Sequence, residues 1–274
     1  MNFVHISDLH MSRSLIYTKD QIKHFSEMLE SLFNPENAVF IITGDIIEKG
    51  NKNDYKLGLS FFDRFMKRGV VFVPVPGNHD IIKETSNYFE YFNKFSGELR
   101  NNYDINFTNS KTYVEINIYD FQLILFNSAY HGNREYGLID ENVFKELSNK
   151  DILNNEKIKI ALFHHIPIPL NNEYSSVIRN SYEFLSFLCE HNFLFGFHGH
   201  SHISSGITVG ENRLKLVGVS SLFSPYENNI NSQVNIITID RDKSYEVKKY
   251  IYVQDDITAG QWGNFKRVLP YNIF

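Results

Sequence analysis

The sequence predicts an α/β fold built on a parallel sheet, and three observations lead there. Apolar, largely β-branched runs alternate with helical-period stripes through the first 80 residues, Gly, Pro or Asn breaks separate the two, and five apolar runs end in His, Asp or Asn. Strand, helix, strand, helix, strand at this spacing closes through right-handed crossovers into a parallel sheet. Such sheets bind ligands at the carboxyl ends of their strands, where the polar motifs fall.

Residues 2–8 read as the first strand, Phe3, His5 and Ser7 alternating with Val4, Ile6 and Asp8. Side chains two apart on an extended segment point the same way, so Asp8 and His10 can grip one ion together. A polar loop follows over 11–19, then a helix over 20–33 with Ile22, Phe25, Met28, Leu29 and Leu32 on one stripe, stopped by Asn34-Pro35. The second strand, 38–43, delivers Gly44-Asp45-Ile46-Ile47-Glu48-Lys49-Gly50, and a second helix spans 55–67 with Gly69 as its stop. The run 70–76 is a buried strand that delivers Gly77-Asn78-His79-Asp80.

Tyr88, Phe89, Tyr91, Phe92 and Phe95 resemble a base-stacking platform, but their spacing is helical and predicts a core face over 87–95. Residues 96–111 are polar and Asn-rich, read as a surface excursion within reach of the site. Paired strands are expected over 112–118 and 121–127, a helix over 141–153, and a strand over 158–163 that presents His164-His165. A helix over 181–190 precedes a strand ending in His198-Gly199-His200-Ser201-His202. Strands and turns fill 203–252, with hairpins around Gly210-Glu211-Asn212 and over 240–243. This is one domain, 1–252, with a tail, 253–274, that carries Trp262 and packs on the domain or on a partner, a homodimer included.

A chain of 274 residues buries an ample core without disulfides or a structural metal, and the single Cys189 points to a reducing compartment. With the first strand beginning almost at Met1 and no apolar run long enough to span a membrane, a cytoplasmic protein without membrane contact is expected. A net charge of −5 gives no long-range attraction to polymeric nucleic acid.

Asp8, His10, Asp45, Asn78, His164, His200 and His202 offer only oxygen and nitrogen donors, which suits Mn, Fe, Zn, Co or Ni better than Ca or Mg. Seven donors exceed one catalytic ion and fit two if Asp45 bridges. Two divalent ions beside two carboxylates leave an excess positive charge for a hydroxide and an anionic phosphoester. His79 is then a free acid beside the pair. Taken singly, each position has a plainer reading: a strand-end His is often bonded to the backbone, and Asp or Asn beside Gly often marks a turn. His5, His24, His131 and His191 stay in that plainer class, and His165 and His198 are undecided.

The order Asp8-Leu9-His10, Gly44-Asp45, Gly77-Asn78-His79-Asp80, His164 and Gly199-His200-Ser201-His202 resembles the motif set of the calcineurin-like metallophosphoesterase superfamily, over residues 3 to about 220. The resemblance implies a four-layer αββα sandwich of two mixed sheets flanked by helices. It implies two ions, one on Asp8, His10, Asp45 and His202, the other on Asp45, Asn78, His164 and His200. It implies attack by a metal-bridging hydroxide, with His79 serving the leaving group and Glu48, where Asp is commoner, orienting His79. Gly44-Asp45-Ile46-Ile47-Glu48-Lys49-Gly50 followed by Tyr55, and His164-His165-Ile166-Pro167, are most similar to the class III cyclic-nucleotide phosphodiesterase branch. A small phosphodiester, with a 3′,5′-cyclic nucleotide leading, is the expected substrate. The rivals are an Mre11-like nuclease, a phosphomonoesterase or protein phosphatase, and a non-catalytic metal-binding scaffold.

Overall fold

The first two strands are buried on both faces, which forces layers onto each side of the sheet they build. The computed structural model describes residues 1–12, 19–48, 52–99, 103–149, 152–153, 155–170, 176–211, 214–223, 232–253 and 264–268. In chain order the elements are β1 (Asn2–Ile6), α1 (Lys19–Glu30), β2 (Ala38–Thr43), α2 (Lys52–Met66), β3 (Val71–Val75), α3 (Glu90–Glu98), β4 (Tyr113–Ile118), β5 (Phe121–Phe126) and α4 (Glu141–Asn149). There follow β6 (Ile158–Leu162), α5 (Ser181–Glu190), β7 (Phe193–His198), β8 (Ser205–Val209), β9 (Leu214–Gly218), β10 (Gln233–Ile239), β11 (Tyr245–Val253) and β12 (Asn264–Arg267).

Two six-stranded mixed sheets result, ordered β12-β11-β10-β1-β2-β3 and β4-β5-β6-β7-β9-β8. β1, β2 and β3 are parallel, as are β5, β6, β7 and β9, and the antiparallel strands lie outside them. The sheets pack face to face: Phe3 meets Phe121 edge-on at 5.1 Å, and His5 meets Phe197 at 5.0 Å. The opposite face of the first sheet takes the helices, with Phe40 of β2 against Phe62 and Phe65 of α2. On the outer face of the second sheet, Phe126 and Phe163 pack against Phe184 of α5. This is the expected four-layer αββα sandwich.

Several boundaries differ from the sequence reading. α1 ends at Glu30, and Asn34 instead caps a 3₁₀ turn over Pro35–Asn37 by accepting from the Glu36 N–H at 3.2 Å. α4 stops at Asn149, short of Leu153. The aromatic helix begins at Glu90, later than expected, because Ile82 N–H bonds Tyr88 O and the Asn87 side chain takes the Phe89 N–H, holding the preceding residues in turns. Phe89, Phe92 and Phe95 are buried, so the stripe is core. Of the surface excursion expected over 96–111, residues 103–111 form a loop without helix or strand, most of it exposed. Residues 96–98 complete α3, and Asn93 clamps Phe107 by donating to its carbonyl at 2.7 Å and accepting its N–H at 2.9 Å. The described part of the loop is therefore held against α3 at Phe107. Within the 253–274 tail, β12 pairs along β11, and Trp262 lies outside the described residues, as do Lys49, Gly50 and Asn212.

Candidate metal centre

The parallel strands of both sheets end on one side, and the chain turns sharply there. Of eight non-glycine residues with positive φ among the described residues, five are predicted ligands: Asp8, His10, Asp45, His200 and His202. Left-handed backbone costs of order 1–3 kcal/mol per residue unless the surroundings enforce it, and such strain gathers at functional sites. The enforcement is visible: Asp8 N–H bonds Gly44 O at 3.0 Å, His10 N–H bonds Asp45 O at 3.0 Å, and His200 N–H bonds Asp8 Oδ2 at 3.0 Å. Two glycines permit the crowding. A Cβ on Gly77 would overlap Asp45 Oδ1, and one on Gly199 would overlap Ser7 Oγ and Asp8 Oδ2.

Seven side chains converge as two donor sets. In the first, His10 Nε2 lies 3.1 Å from His202 Nε2 and 3.8 Å from Asp8 Oδ1, and His202 Nε2 lies 3.2 Å from Asp8 Oδ1. In the second, His164 Nε2 lies 2.9 Å from Asn78 Oδ1, 3.1 Å from His200 Nδ1 and 3.2 Å from Asp45 Oδ2. That same Asp45 oxygen is 4.0 Å from His10 Nε2, so it belongs to both. Ligand bonds of about 2.0–2.2 Å put neighbouring donors about 3 to 3.5 Å apart, the spacing of these pairs apart from the two that His10 makes with the carboxylates.

The donor chemistry fits divalent transition ions. Asp8 Oδ1 is buried, and what faces it is the His202 Nε2 at 3.2 Å, two ligand atoms turned to each other that a cation between them would satisfy. His164 donates Nδ1–H to Thr43 O at 2.7 Å, so Nε2 is the atom left to face the set. Glu48 Oε2 lies 2.9 Å from His10 Nδ1 and fixes that ring likewise. Burial opposes charge on His164, but Asp45 beside it carries the imidazole up to about 9. Against the same burial, His164 holds Asp45 far below the carboxylate range and His202 does so for Asp8. His200 is pushed down to about 4 by burial and by His164. In the protein alone, a proton on His164 offsets part of the charge of the two carboxylates where cations belong.

His79 stands beside the first set, its ring 4.9 Å from that of His10, and its Nδ1 donates to the backbone carbonyl of Glu48 at 2.7 Å. The Glu48 carboxylate, expected to orient His79, is 3.9 Å from that nitrogen and engages His10 instead. His165 joins His164 and His200 in a group of close donors, its Nδ1 2.9 Å from Ser128 Oγ. His198 stays apart, stacked on Phe163, its imidazole pushed down to about 4 by burial. His5 bonds Thr43 Oγ1 at 3.0 Å and His191 bonds Ser148 Oγ at 3.1 Å, both outside the donor groups.

Some residues of the site left no trace in the sequence. Asn78 Nδ2 donates to the backbone carbonyl of Arg134, 56 positions away, and a backbone acceptor has no signature. Asp80 was visible in its motif without a role. It is buried and accepts from Gly77 N–H at 2.9 Å, Tyr55 O–H at 3.1 Å and the N–H groups of Ile46 and Ile47 at 3.4 Å, tying the ends of β2 and β3 together.

Comparison with known proteins follows the same lines. A curated Coxiella burnetii protein named a probable cyclic nucleotide phosphodiesterase is 28% identical over 205 residues, covering 72% of this chain and 74% of its own. An Arcobacter nitrofigilis protein named a probable glycerophosphodiester phosphodiesterase is 27% identical over 183 residues, or 65% of this chain and 61% of its own length. Among solved structures, a dimetal phosphatase from Danio rerio superposes with a TM-score of 0.56 at 14% identity, covering 91% of this chain and 94% of that one, a likeness of fold alone. The family described as Calcineurin-like phosphoesterase matches residues 1–204. With the motif order, the two-sheet sandwich and the converging donors in agreement, this chain belongs to the calcineurin-like phosphoesterase family and is a phosphoric ester hydrolase.

Proposed function

We propose that the chain is a dinuclear-metal phosphodiesterase acting on a small phosphodiester, with a 3′,5′-cyclic nucleotide the leading candidate. The observation that carries this reading is the Oδ2 atom of Asp45, 3.2 Å from His164 and 4.0 Å from His10, common to both donor sets. Asp8, His10, Asp45 and His202 would hold one ion and Asp45, Asn78, His164 and His200 the other, with Mn, Fe, Zn or Ni suited to the donors. When bound, such a pair neutralises phosphoryl oxygens and acidifies a water for attack. The protein's own part is orientation and proton transfer. With Nδ1 committed to Glu48 O, the leaving-group proton is carried at His79 Nε2. Asp45 Oδ1 accepts the backbone N–H of His79 at 2.9 Å, so the shared carboxylate is tied to the chain segment that carries the acid.

A diester is supported by the two relatives, both named as phosphodiesterases. The net charge of −5 directs the reading to a small substrate, not to polymeric nucleic acid. The single Cys189 supports a cytoplasmic setting.

The test is a panel of rates with Mn-reconstituted protein on cyclic AMP, a glycerophosphodiester, bis(p-nitrophenyl) phosphate, p-nitrophenyl phosphate and single-stranded DNA. Chelation should abolish hydrolysis, Mn should restore it, and the small diesters should be preferred. Asp45→Asn should weaken uptake of both ions. Fast DNA cleavage with negligible cyclic AMP turnover would give the case to a nuclease, and two bound ions with no turnover of any ester would give it to a scaffold.

A further inference from the structure

An asparagine ligand must present Oδ1, yet its amide is nearly symmetric in shape, so something must decide which end faces the metal. Here the decision comes from the loop after β5. Asn78 Nδ2 donates to Arg134 O at 3.2 Å, which leaves Oδ1 turned to the second donor set, 2.9 Å from His164 Nε2. The loop's base is firm: Leu138 N–H bonds Ser128 O at 3.0 Å, Gly137 N–H bonds Val177 O at 3.1 Å, and Arg179 N–H bonds Gly137 O at 2.9 Å. Its tip is secured by the Arg134 side chain, whose Nη2 donates to Ile81 O at 2.7 Å, three residues beyond Asn78. Asn78, Arg134 and Ile81 thus form a closed clasp between two loops, and Arg134, which closes it, is an exposed residue.

We propose that Arg134 is a positioning residue that sets the affinity of the second metal site, and not the first, by holding its own carbonyl against Asn78. The inference rests on the dinuclear reading above. In the first set, Asp8 Oδ2 accepts the His200 N–H and His10 Nδ1 lies against the Glu48 carboxylate, and the shared Asp45 accepts the backbone N–H of His79, bonds that do not involve this loop. Freeing the loop tip therefore costs the second set its amide oxygen while leaving the first set's orienting bonds intact.

The test reads metal and not turnover. The chelator-stripped full chain is titrated with Mn²⁺ by calorimetry, with electron paramagnetic resonance distinguishing isolated from spin-coupled ions. Outer-shell partners of ligands are typically worth 10- to 100-fold in affinity, so Arg134→Ala should weaken the second binding step by about that factor. The first step should stay within about twofold, giving isolated Mn²⁺ at concentrations where the parent chain is coupled. Arg134→Lys, which keeps a donor within reach of Ile81 O, should recover part of the loss. Glu135→Ala, a neighbouring exposed change, should alter neither step. Equal weakening of both steps, or none, in a variant with the parent's circular dichroism would overturn the assignment to Arg134 alone. A parent chain that takes up fewer than two ions would overturn the dinuclear reading and the inference with it.

Discussion

Glu48 holds His79 with its backbone and holds His10 with its side chain: the carbonyl accepts His79 Nδ1–H at 2.7 Å, and the carboxylate lies 2.9 Å from His10 Nδ1. One residue thereby orients both an acid and a ligand, through different atoms. Glu48→Gln should leave His79 in place and act at the first metal site, weakening that ion about 10-fold or more, the usual effect of losing a carboxylate behind a ligating imidazole. The dependence of rate on leaving group should not change. A variant with normal metal content and a changed leaving-group dependence would show that the carboxylate serves His79 after all.

His79 itself should behave differently. His79→Ala removes no member of either donor set, so metal content should hold while turnover falls. General acid catalysis is typically worth ~10² to 10⁴-fold, and only a poor leaving group needs it. An alkoxide-leaving diester should lose rate in that range and a nitrophenyl diester far less. Equal losses on both would leave His79 a purely electrostatic part.

The strand ends were legible in the sequence because each carries its chemistry within a few residues of an apolar run: Asp8, Asp45, Asn78, His164 and His200 could all be named before any fold was known. The core reading of Phe89, Phe92 and Phe95 followed from spacing in the same way. What escaped was contact through the backbone. Arg134 meets Asn78 by a carbonyl and Thr43 meets His164 by another, and any residue type has one. The left-handed φ of Asp8 and His10 was hidden too, since extension through residue 8 satisfies the hydrophobic pattern equally well until Gly44 O and Asp45 O claim their N–H groups. Helix ends slipped where a local turn outbid the periodic stripe, as at Asn34 and Asn87.

Protonation should set stripped and loaded protein apart. In the protein alone His164 titrates at about 9, raised from 6.5 against burial chiefly by Asp45. A folded-state value above the unfolded one gives stability that is full below about pH 6.5 and is lost as pH rises through about 9. A metal ion competes with that proton, so uptake should release it, and affinity should climb about tenfold per pH unit between 7 and 9 if this proton dominates. The melting temperature of chelated protein should therefore fall from pH 7 to 9 while that of the Mn-loaded protein does not. Parallel falls in both would mean that His164 carries no proton for the metal to displace.

The crowding around Asp8 gives the last prediction. A Cβ on Gly199 would overlap both Ser7 Oγ and Asp8 Oδ2, and these neighbours cannot retreat: Ser7 Oγ is bonded to Thr43 O at 3.0 Å, and Asp8 Oδ2 accepts the His200 N–H at 3.0 Å. Gly199→Ala must therefore push Asp8 away from His202 or shift the β7 end that carries His200. Overpacking a filled interior costs about 1–3 kcal/mol. For a single domain of this size that lowers the melting temperature by several degrees. The damage should also reach chemistry, because Asp8 Oδ1 belongs to the first donor set and is 3.2 Å from His202 Nε2. Melting curves with and without Mn separate the two effects: the metal-dependent part of the stabilisation should shrink in the variant along with the baseline. A variant as stable as the parent, binding the first ion with parental affinity, would mean that this turn yields more readily than its hydrogen bonds imply.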